Sequence, residues 1–148
     1  MIERKRRVIQ LKTDFPKIVC LCGSGRFMDE FHAAEERETL KGHIVLTIGA
    51  NTKDVARDTS LSHHKPMLDE LHKRKIDLCD EIFVLNIGGY IGESTRSEIK
   101  YALAHDKPVR LLEPLCLTCN GKRMISDPWS PGGMEMMPCP VCRTVPLT

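Results

Sequence analysis

Four cysteines near the end of the chain have the spacing of metal ligands. Cys116 and Cys119 form one Cys-x-x-Cys pair, and Cys139 and Cys142 form another after 19 intervening residues. Two such pairs can bring four thiolates to one tetrahedral ion, and a site filled by four protein ligands is structural and not catalytic. The spacing predicts a structural zinc ion in a small zinc ribbon over residues 115–148. We expect no organic cofactor.

A second candidate for chemistry is Glu98, which follows a loop rich in glycine and hydroxyl residues. Residues 88–97 read GGYIGESTRS and come after an apolar segment that predicts a strand. A carboxylate in the first turn of the next helix, facing a glycine-lined cleft, can act as a nucleophile. The alternative is a capping box, in which Thr95 caps the helix and Glu98 only satisfies the backbone N–H of Thr95.

A shorter glycine loop, GSGRF at residues 23–27, is a candidate anion site. Glycines let the backbone approach a ligand, and the free N–H groups of the following helix attract an anion. Ser24 and Arg26 add a hydroxyl group and a fixed cation. The alternative is a plain turn in which Ser24 caps the helix.

Short apolar segments alternate with amphipathic ones, and these elements must position the loops. The pattern predicts strands at 17–22, 43–49, 81–87 and 108–112, and helices at 26–40, 67–79 and 95–105. This order predicts an α/β fold of Rossmann-like or flavodoxin-like type, with a mostly parallel sheet and helices on both faces. Both glycine loops then follow carboxyl ends of strands, where such sheets bind ligands.

Composition and charge bear on the partners, the location and the domain divisions that we expect for this protein. The 148 residues carry a net charge of +2, which is too small to indicate nucleic-acid binding. No apolar run approaches the roughly 20 residues of a membrane span, and no signal-peptide core follows the basic N-terminus, so we expect a cytoplasmic protein without a membrane partner. The predicted divisions are a basic segment 1–16, an α/β domain 17–114 and the tail 115–148. The other cysteines are predicted core thiols: Cys20, Cys22 and Cys79.

Three segments resemble the nucleoside 2-deoxyribosyltransferase superfamily, which also includes N-glycoside hydrolases of nucleoside 5′-monophosphates, such as CMP hydrolases. The segments are CGSGRF at 22–27, DEIFVLN at 80–86 and GESTRSEIKYALA at 92–104. The similarity spans residues 17–113 and leaves out the tail. Lys100 stands where the family pattern usually has glycine.

The resemblance implies a flavodoxin-like fold and cleavage of an N-glycosidic bond. Glu98 matches the nucleophile of the family, which attacks C1′ and forms a glycosyl-enzyme ester, as in retaining glycosidases. Water or a second base would then release the sugar. The family often has an aspartate as its general acid, about eight residues before the acid that opens the third strand. Counting back from Asp80 leads instead to His72, a departure from the family pattern, with Asp69 one turn earlier. Both are candidate proton donors, and the alternative for His72 is a surface histidine.

The resemblance also implies which residues bind a nucleotide or nucleoside substrate. These residues are Gly23, Ser24, Gly25, Arg26, Phe27, Gly89, Tyr90, Ser94 and Thr95. Arg26 favours a nucleotide, because arginine can bind phosphate through two hydrogen bonds. Phe27 or Tyr90 would stack on the base, although Phe27 also suits the core. Family members usually assemble, which implies a homodimer or higher homo-oligomer.

Two functions of other classes remain open. The same cleft could bind a nucleotide without turnover, as a sensor. Alternatively, the zinc ribbon could recognise nucleic acid or a protein partner, for which Lys122, Arg123 and Arg143 are weak support.

Overall fold

The computed structural model describes residues 15–51, 62–120, 122, 124–126, 130–133 and 135–140. Four parallel strands form one sheet in the order β2-β1-β3-β4. The strands are β1 (Ile18–Gly23), β2 (Ile44–Leu46), β3 (Glu81–Leu85) and β4 (Val109–Leu111), and the helices are α1 (Met28–Leu40), α2 (Lys65–Leu78) and α3 (Glu93–Ala104). None of the described helices is long and apolar enough to cross a membrane.

The central strand β1 is buried on both faces, which explains why its sequence is a continuous apolar run. Successive side chains point to opposite faces of a strand. Val19 and Leu21 therefore pack against α1, whereas Cys20 and Cys22 pack on the other face, in one cluster with Ile76 of α2 and with α3. The predicted α/β class, with a parallel sheet covered by helices on both faces, is confirmed.

Three predicted strands are shorter in the structure, and β4 (Val109–Leu111) loses one residue at each end of the predicted range 108–112. Only Ile44–Leu46 of the predicted strand 43–49 pairs with β1. Strand β3 ends at Leu85, because a 3-10 turn at Ile87–Gly89 follows and both of its glycines have positive φ angles, of 60° and 75°. The backbone turns away from the sheet there, in a conformation that favours glycine.

The described part of the tail contains an antiparallel pair of strands. Strand β5 (Met124–Ser126) pairs with β6 (Met136–Pro138), and a 3-10 turn at Pro131–Gly133 lies between them. This hairpin brings Cys139, just after β6, close to Cys116 and Cys119.

A buried ion cluster connects α1 to the edge strand β4. The fully buried Glu38 of α1 accepts two hydrogen bonds from Arg110 of β4, at 3.0 and 3.2 Å, and others from Lys41 and His43. Arg110 also donates to Glu81 at 2.8 Å. Burial opposes ionisation of Glu38, but the hydrogen bonds, led by that from Arg110, outweigh it and lower its pKa to about 2.

We expect Glu38→Gln to destabilise the fold by about 3 kcal/mol at neutral pH. The folded-state pKa lies below the ordinary glutamate pKa of 4.5, so ionised Glu38 stabilises the fold above that value and loses this contribution as the pH falls towards 2. The free energies of unfolding in urea of the variant and of the original chain should therefore converge between about pH 5 and pH 2.

The matched control is Glu36→Gln, which alters an exposed carboxylate on the same helix. It should change the free energy of unfolding by no more than about 0.5 kcal/mol. A difference between Glu38→Gln and the original chain that stays constant over this pH range would contradict the assignment.

Candidate functional site

A cleft of about 270 Å³ opens beyond the carboxyl end of β1. This volume is close to the lower end of the range of about 300–1,000 Å³ that is typical of small-molecule sites. Six of the predicted site residues contribute to its lining: Gly23, Gly25, Asp69, His72, Ser94 and Glu98. Residues far apart in the chain, from β1, α2 and α3, are therefore brought together at the edge of the sheet where a ligand was expected.

Glu98 lies on α3, and its carboxylate is largely enclosed, with 17% of the side chain exposed. Its Oε2 atom is buried and has no hydrogen-bond partner among the described residues. Burial raises the pKa of Glu98 to about 7, although the nearby charge of His72 acts in the opposite direction. A carboxylate with free lone pairs is thus held in a cleft instead of being used to cap the helix.

The capping box at Thr95 does not form. Helix α3 begins at Glu93, two residues earlier than predicted, and Gly92 is its N-cap, with no capping hydrogen bond from a described side chain. Thr95 therefore lies inside the first turn. Its side chain is only 2% exposed, so it does not reach the cleft to bind a ligand.

His72 lies on the face of α2 that packs on the sheet, and its side chain is only 8% exposed. The surface-histidine alternative is therefore wrong. Nε2 of His72 lies 3.8 Å from Oε2 of Glu98 and also faces Cys20 and Cys22. Burial alone would lower the pKa of His72, but the hydrogen bond with Cys20 and the charge of Glu98 raise it.

Asp69 lines the same cleft one helical turn before His72. Its carboxylate accepts a hydrogen bond of 2.6 Å from Lys65, four residues earlier on the helix, and 42% of the side chain is exposed. Asp69 is therefore at the rim, whereas His72 and Glu98 are at the base.

The glycine loop after β1 contributes to the cleft through two glycines with different surroundings. A Cβ atom at Gly23 would lie 3.3 Å from the backbone oxygen of Leu85 and from the ring of Phe31. A Cβ atom at Gly25 would collide with the side chain of Asn51, which donates a hydrogen bond to the Gly25 carbonyl. Gly23 thus permits close packing of the backbone, and Gly25 leaves room for the side chain of Asn51.

The other residues of this loop lie beside the cleft. Ser24 does not cap α1, whose N-cap is Phe27 and has no capping hydrogen bond from a described side chain. Phe27 is 1% exposed and packs edge-on against Tyr90, so it belongs to the core. The Arg26 guanidinium lies over the ring of Tyr90, 4.4 Å from its centre, and its Nη2 atom is 3.5 Å from the Tyr90 hydroxyl.

The loop between β3 and α3 is anchored by a contact that the sequence does not reveal. The buried Asn86 side chain donates to the Glu113 carbonyl and accepts a hydrogen bond from the Glu113 N–H. The Gly89 N–H donates to the Glu113 carboxylate. Gly89 therefore stabilises the loop and does not line the cleft.

Cys20 and Cys22 are functional candidates that the sequence predicts only as core thiols. Their sulfur atoms lie 3.8 and 3.4 Å from Nε2 of His72. A hydrogen bond from Cys22 lowers the pKa of Cys20 to about 6 against the effect of burial, and the same hydrogen bond, with burial, raises the pKa of Cys22. The available signal was their i, i+2 spacing, which places both on one face of β1.

Three of the four tail cysteines form a cluster that could hold a metal ion. The sulfur atoms of Cys116, Cys119 and Cys139 all lie within 4.8 Å of one another. Cys142, the fourth predicted ligand, lies outside the described residues. The turn that carries Cys119 contacts α3, because Arg96 donates a hydrogen bond to the carbonyl of Asn120.

Comparison with protein-family models, with curated proteins and with solved structures gives no match to this chain.

The two glycines that line the cleft should respond differently to alanine. Gly23→Ala forces the new methyl group against backbone and ring atoms, so we expect a loss of about 1–3 kcal/mol in the free energy of unfolding. Gly25→Ala displaces only the flexible side chain of Asn51 and should cost less than about 1 kcal/mol. Urea denaturation of both variants is the measurement, and an equal cost for the two would contradict these roles.

Proposed function

We propose that this protein cleaves the N-glycosidic bond of a nucleoside 5′-monophosphate, with Glu98 as the nucleophile. The observation that carries the proposal is the enclosed carboxylate of Glu98, a residue that lines a cleft of nearly the size of a small-molecule site and whose buried Oε2 atom has no hydrogen-bond partner among the described residues. The resemblance to the nucleoside 2-deoxyribosyltransferase superfamily supports the same role, as does the parallel sheet order, which is compatible with a flavodoxin-like fold.

The chemistry needs a carboxylate that is not already engaged by several donors. The carboxylate of Glu98 attacks C1′, the C1′–N bond breaks, and its electron pair goes to the nitrogen of the leaving base, which takes up a proton. The resulting glycosyl ester is then attacked at C1′ by water, or by a second base in a transferase, and Glu98 is released. The dry wall formed by β1 and α2 strengthens the interaction of Glu98 with the positive charge that develops at C1′.

His72 is the proposed donor of the proton to the leaving base. Its Nε2 atom is 3.8 Å from Oε2 of Glu98, and both residues line the same cleft. Asp69 is the alternative donor on the same helix, but its carboxylate is bound to Lys65 at the more exposed rim.

The 5′-phosphate is proposed to bind at the glycine loop before α1. Gly25 lines the cleft, and the N-terminus of the helix that follows favours an anion. Arg26 stacks on Tyr90 at the same edge and can reach a phosphate with a modest change of rotamer. Ser94, across the cleft on α3, offers a hydroxyl group to the sugar.

Glu98→Gln should reduce base release from a nucleoside 5′-monophosphate by about 10³-fold or more, because an amide cannot form the glycosyl ester. The measurement is chromatography of free base after incubation with ribo- and deoxyribonucleotides. Glu93→Gln, an exposed change on the same helix, is the matched control and should leave the rate unchanged.

Variants of the two candidate donors extend the same assay. His72→Asn should slow base release by about 10²–10⁴-fold, whereas Asp69→Asn should have a smaller effect. Full activity of Glu98→Gln would overturn the nucleophile, and tight nucleotide binding without any release of base by the original chain would instead favour a sensor.

For the tail, we propose a structural zinc ion bound by Cys116, Cys119, Cys139 and Cys142. The close approach of the three described sulfur atoms supports this donor set, and four thiolates suit zinc. Met124 and Met136 of the hairpin are exposed, and the buried cluster described there is centred on Cys119 and Cys139, so the ion would supply much of the folding energy of the hairpin.

Cys116→Ser should lower the zinc content of the purified chain by one ion, because serine does not replace a zinc thiolate. Thr118→Ala, an exposed change in the same turn, is the control and should retain the ion. Zinc is measured by elemental analysis after gel filtration. Equal zinc contents in Cys116→Ser and the original chain would contradict the site.

A further inference from the structure

Three soft donor atoms meet at the base of the cleft, away from the tail cysteines. The sulfur atoms of Cys20 and Cys22 and a ring nitrogen of His72 all lie within 4.8 Å of one another, and all three residues are buried. The two thiols come from alternate positions of β1 and the imidazole from α2, so their arrangement is set by the pairing of rigid elements and not by a loop.

Hydrogen bonding at Nε2 of His72 accounts for only one of these contacts. Nε2 of an imidazole carries one lone pair or one hydrogen, so it makes one good hydrogen bond. Yet the sulfur atoms of Cys20 and Cys22 approach it at 3.8 and 3.4 Å, and Oε2 of Glu98 approaches it at 3.8 Å. Several electron-rich atoms thus converge on a single nitrogen, which is the environment of a cation-binding site.

The distances match those of a tetrahedral site. Metal–sulfur and metal–nitrogen bonds of about 2.3 and 2.0 Å place the two ligand atoms about 3.6 Å apart at a tetrahedral angle. The observed sulfur–nitrogen distances of 3.4 and 3.8 Å lie on either side of this value. Only small rotations of the side chains would be needed to accept an ion.

We propose that Cys20, Cys22 and His72 bind a thiophilic divalent cation such as Zn²⁺ through two thiolates and one imidazole. On binding, thiol protons pass to water, and Nε2 of His72 uses its lone pair for the metal. Three protein ligands leave a fourth position unfilled, and Oε2 of Glu98 lies 3.8 Å from Nε2 of His72. This proposal does not depend on the proposed glycosidase activity.

A bound metal ion would prevent His72 from acting as a proton donor in the cleft. A metal ion on Nε2 takes the lone pair that would otherwise hold a proton, so the loaded protein lacks His72 as a proton donor. Metal binding and acid catalysis by His72 exclude each other at this nitrogen.

The test compares Co²⁺ and Zn²⁺ binding to the full chain, its Cys22→Ser and His72→Asn variants, and Cys79→Ser. Cys79 is the matched control, because it is a buried thiol of the same apolar cluster that donates instead to the Ile76 carbonyl. Cys22→Ser and His72→Asn should each bind one ion fewer than the original chain. Their thiolate-to-cobalt absorption should fall by the contribution of that ion. Cys79→Ser should lose neither. Circular dichroism checks the fold of each variant.

A second measurement leaves the proposed ligands unchanged. In Cys139→Ser, which removes a tail ligand, X-ray absorption of bound zinc should show two sulfur neighbours and one imidazole. Undiminished metal binding by both Cys22→Ser and His72→Asn, or a zinc shell in Cys139→Ser without imidazole, would overturn the proposal. Base release by the metal-free original chain is assayed separately, so failure of the metal site and failure of the glycosidase are distinguishable.

Discussion

The parallel pairing of β1 with β3 is the constraint on which the candidate site depends. Gly23 is paired with Leu85, so both strands end at the same level and their loops leave the sheet side by side. Because β1 is buried on both faces, its alternation also decides which side chains meet α2 and α3. A slip of one residue would exchange Cys20 and Cys22 for Val19 and Leu21 and remove every sulfur atom from the surroundings of His72.

Two enclosed glutamates show how the same side chain serves different purposes. Glu38 is surrounded by Arg110, Lys41 and His43, and their hydrogen bonds lower its pKa far enough to keep it ionised and structural. Around Glu98, the charge of His72 and the contact with the Cys22 thiol favour ionisation, but burial outweighs them and raises its pKa. The number of donors within reach, and not burial alone, separates a structural carboxylate from one that is available for chemistry.

The sequence was sufficient for the α/β class, because buried parallel strands are continuous apolar runs and their helices are amphipathic. It was also sufficient to place His72 and Glu98 among the candidates of one cleft. The sequence did not reveal where α1 and α3 begin, so the capping roles considered for Ser24 and Thr95 are not found. The start of a helix depends on the geometry of the loop before it, and the loop before α3 is held by the Asn86–Glu113 contact. The hydrogen-bonded ion pair of Glu38 and Arg110 joins residues 72 positions apart, and a local sequence pattern cannot predict such a pair.

The two proposals for the cleft make opposite demands on a single nitrogen. A proton donor needs Nε2 of His72 to carry a proton, whereas a metal ligand needs its lone pair. Glu98 is not one of the three proposed ligands, although its Oε2 atom lies 3.8 Å from Nε2 of His72. On these assignments, protonation of a leaving group by His72 is possible only in the form of the cleft without metal. The burial of Cys20 and Cys22 beneath His72 would then make cleavage in this cleft sensitive to thiophilic metal ions.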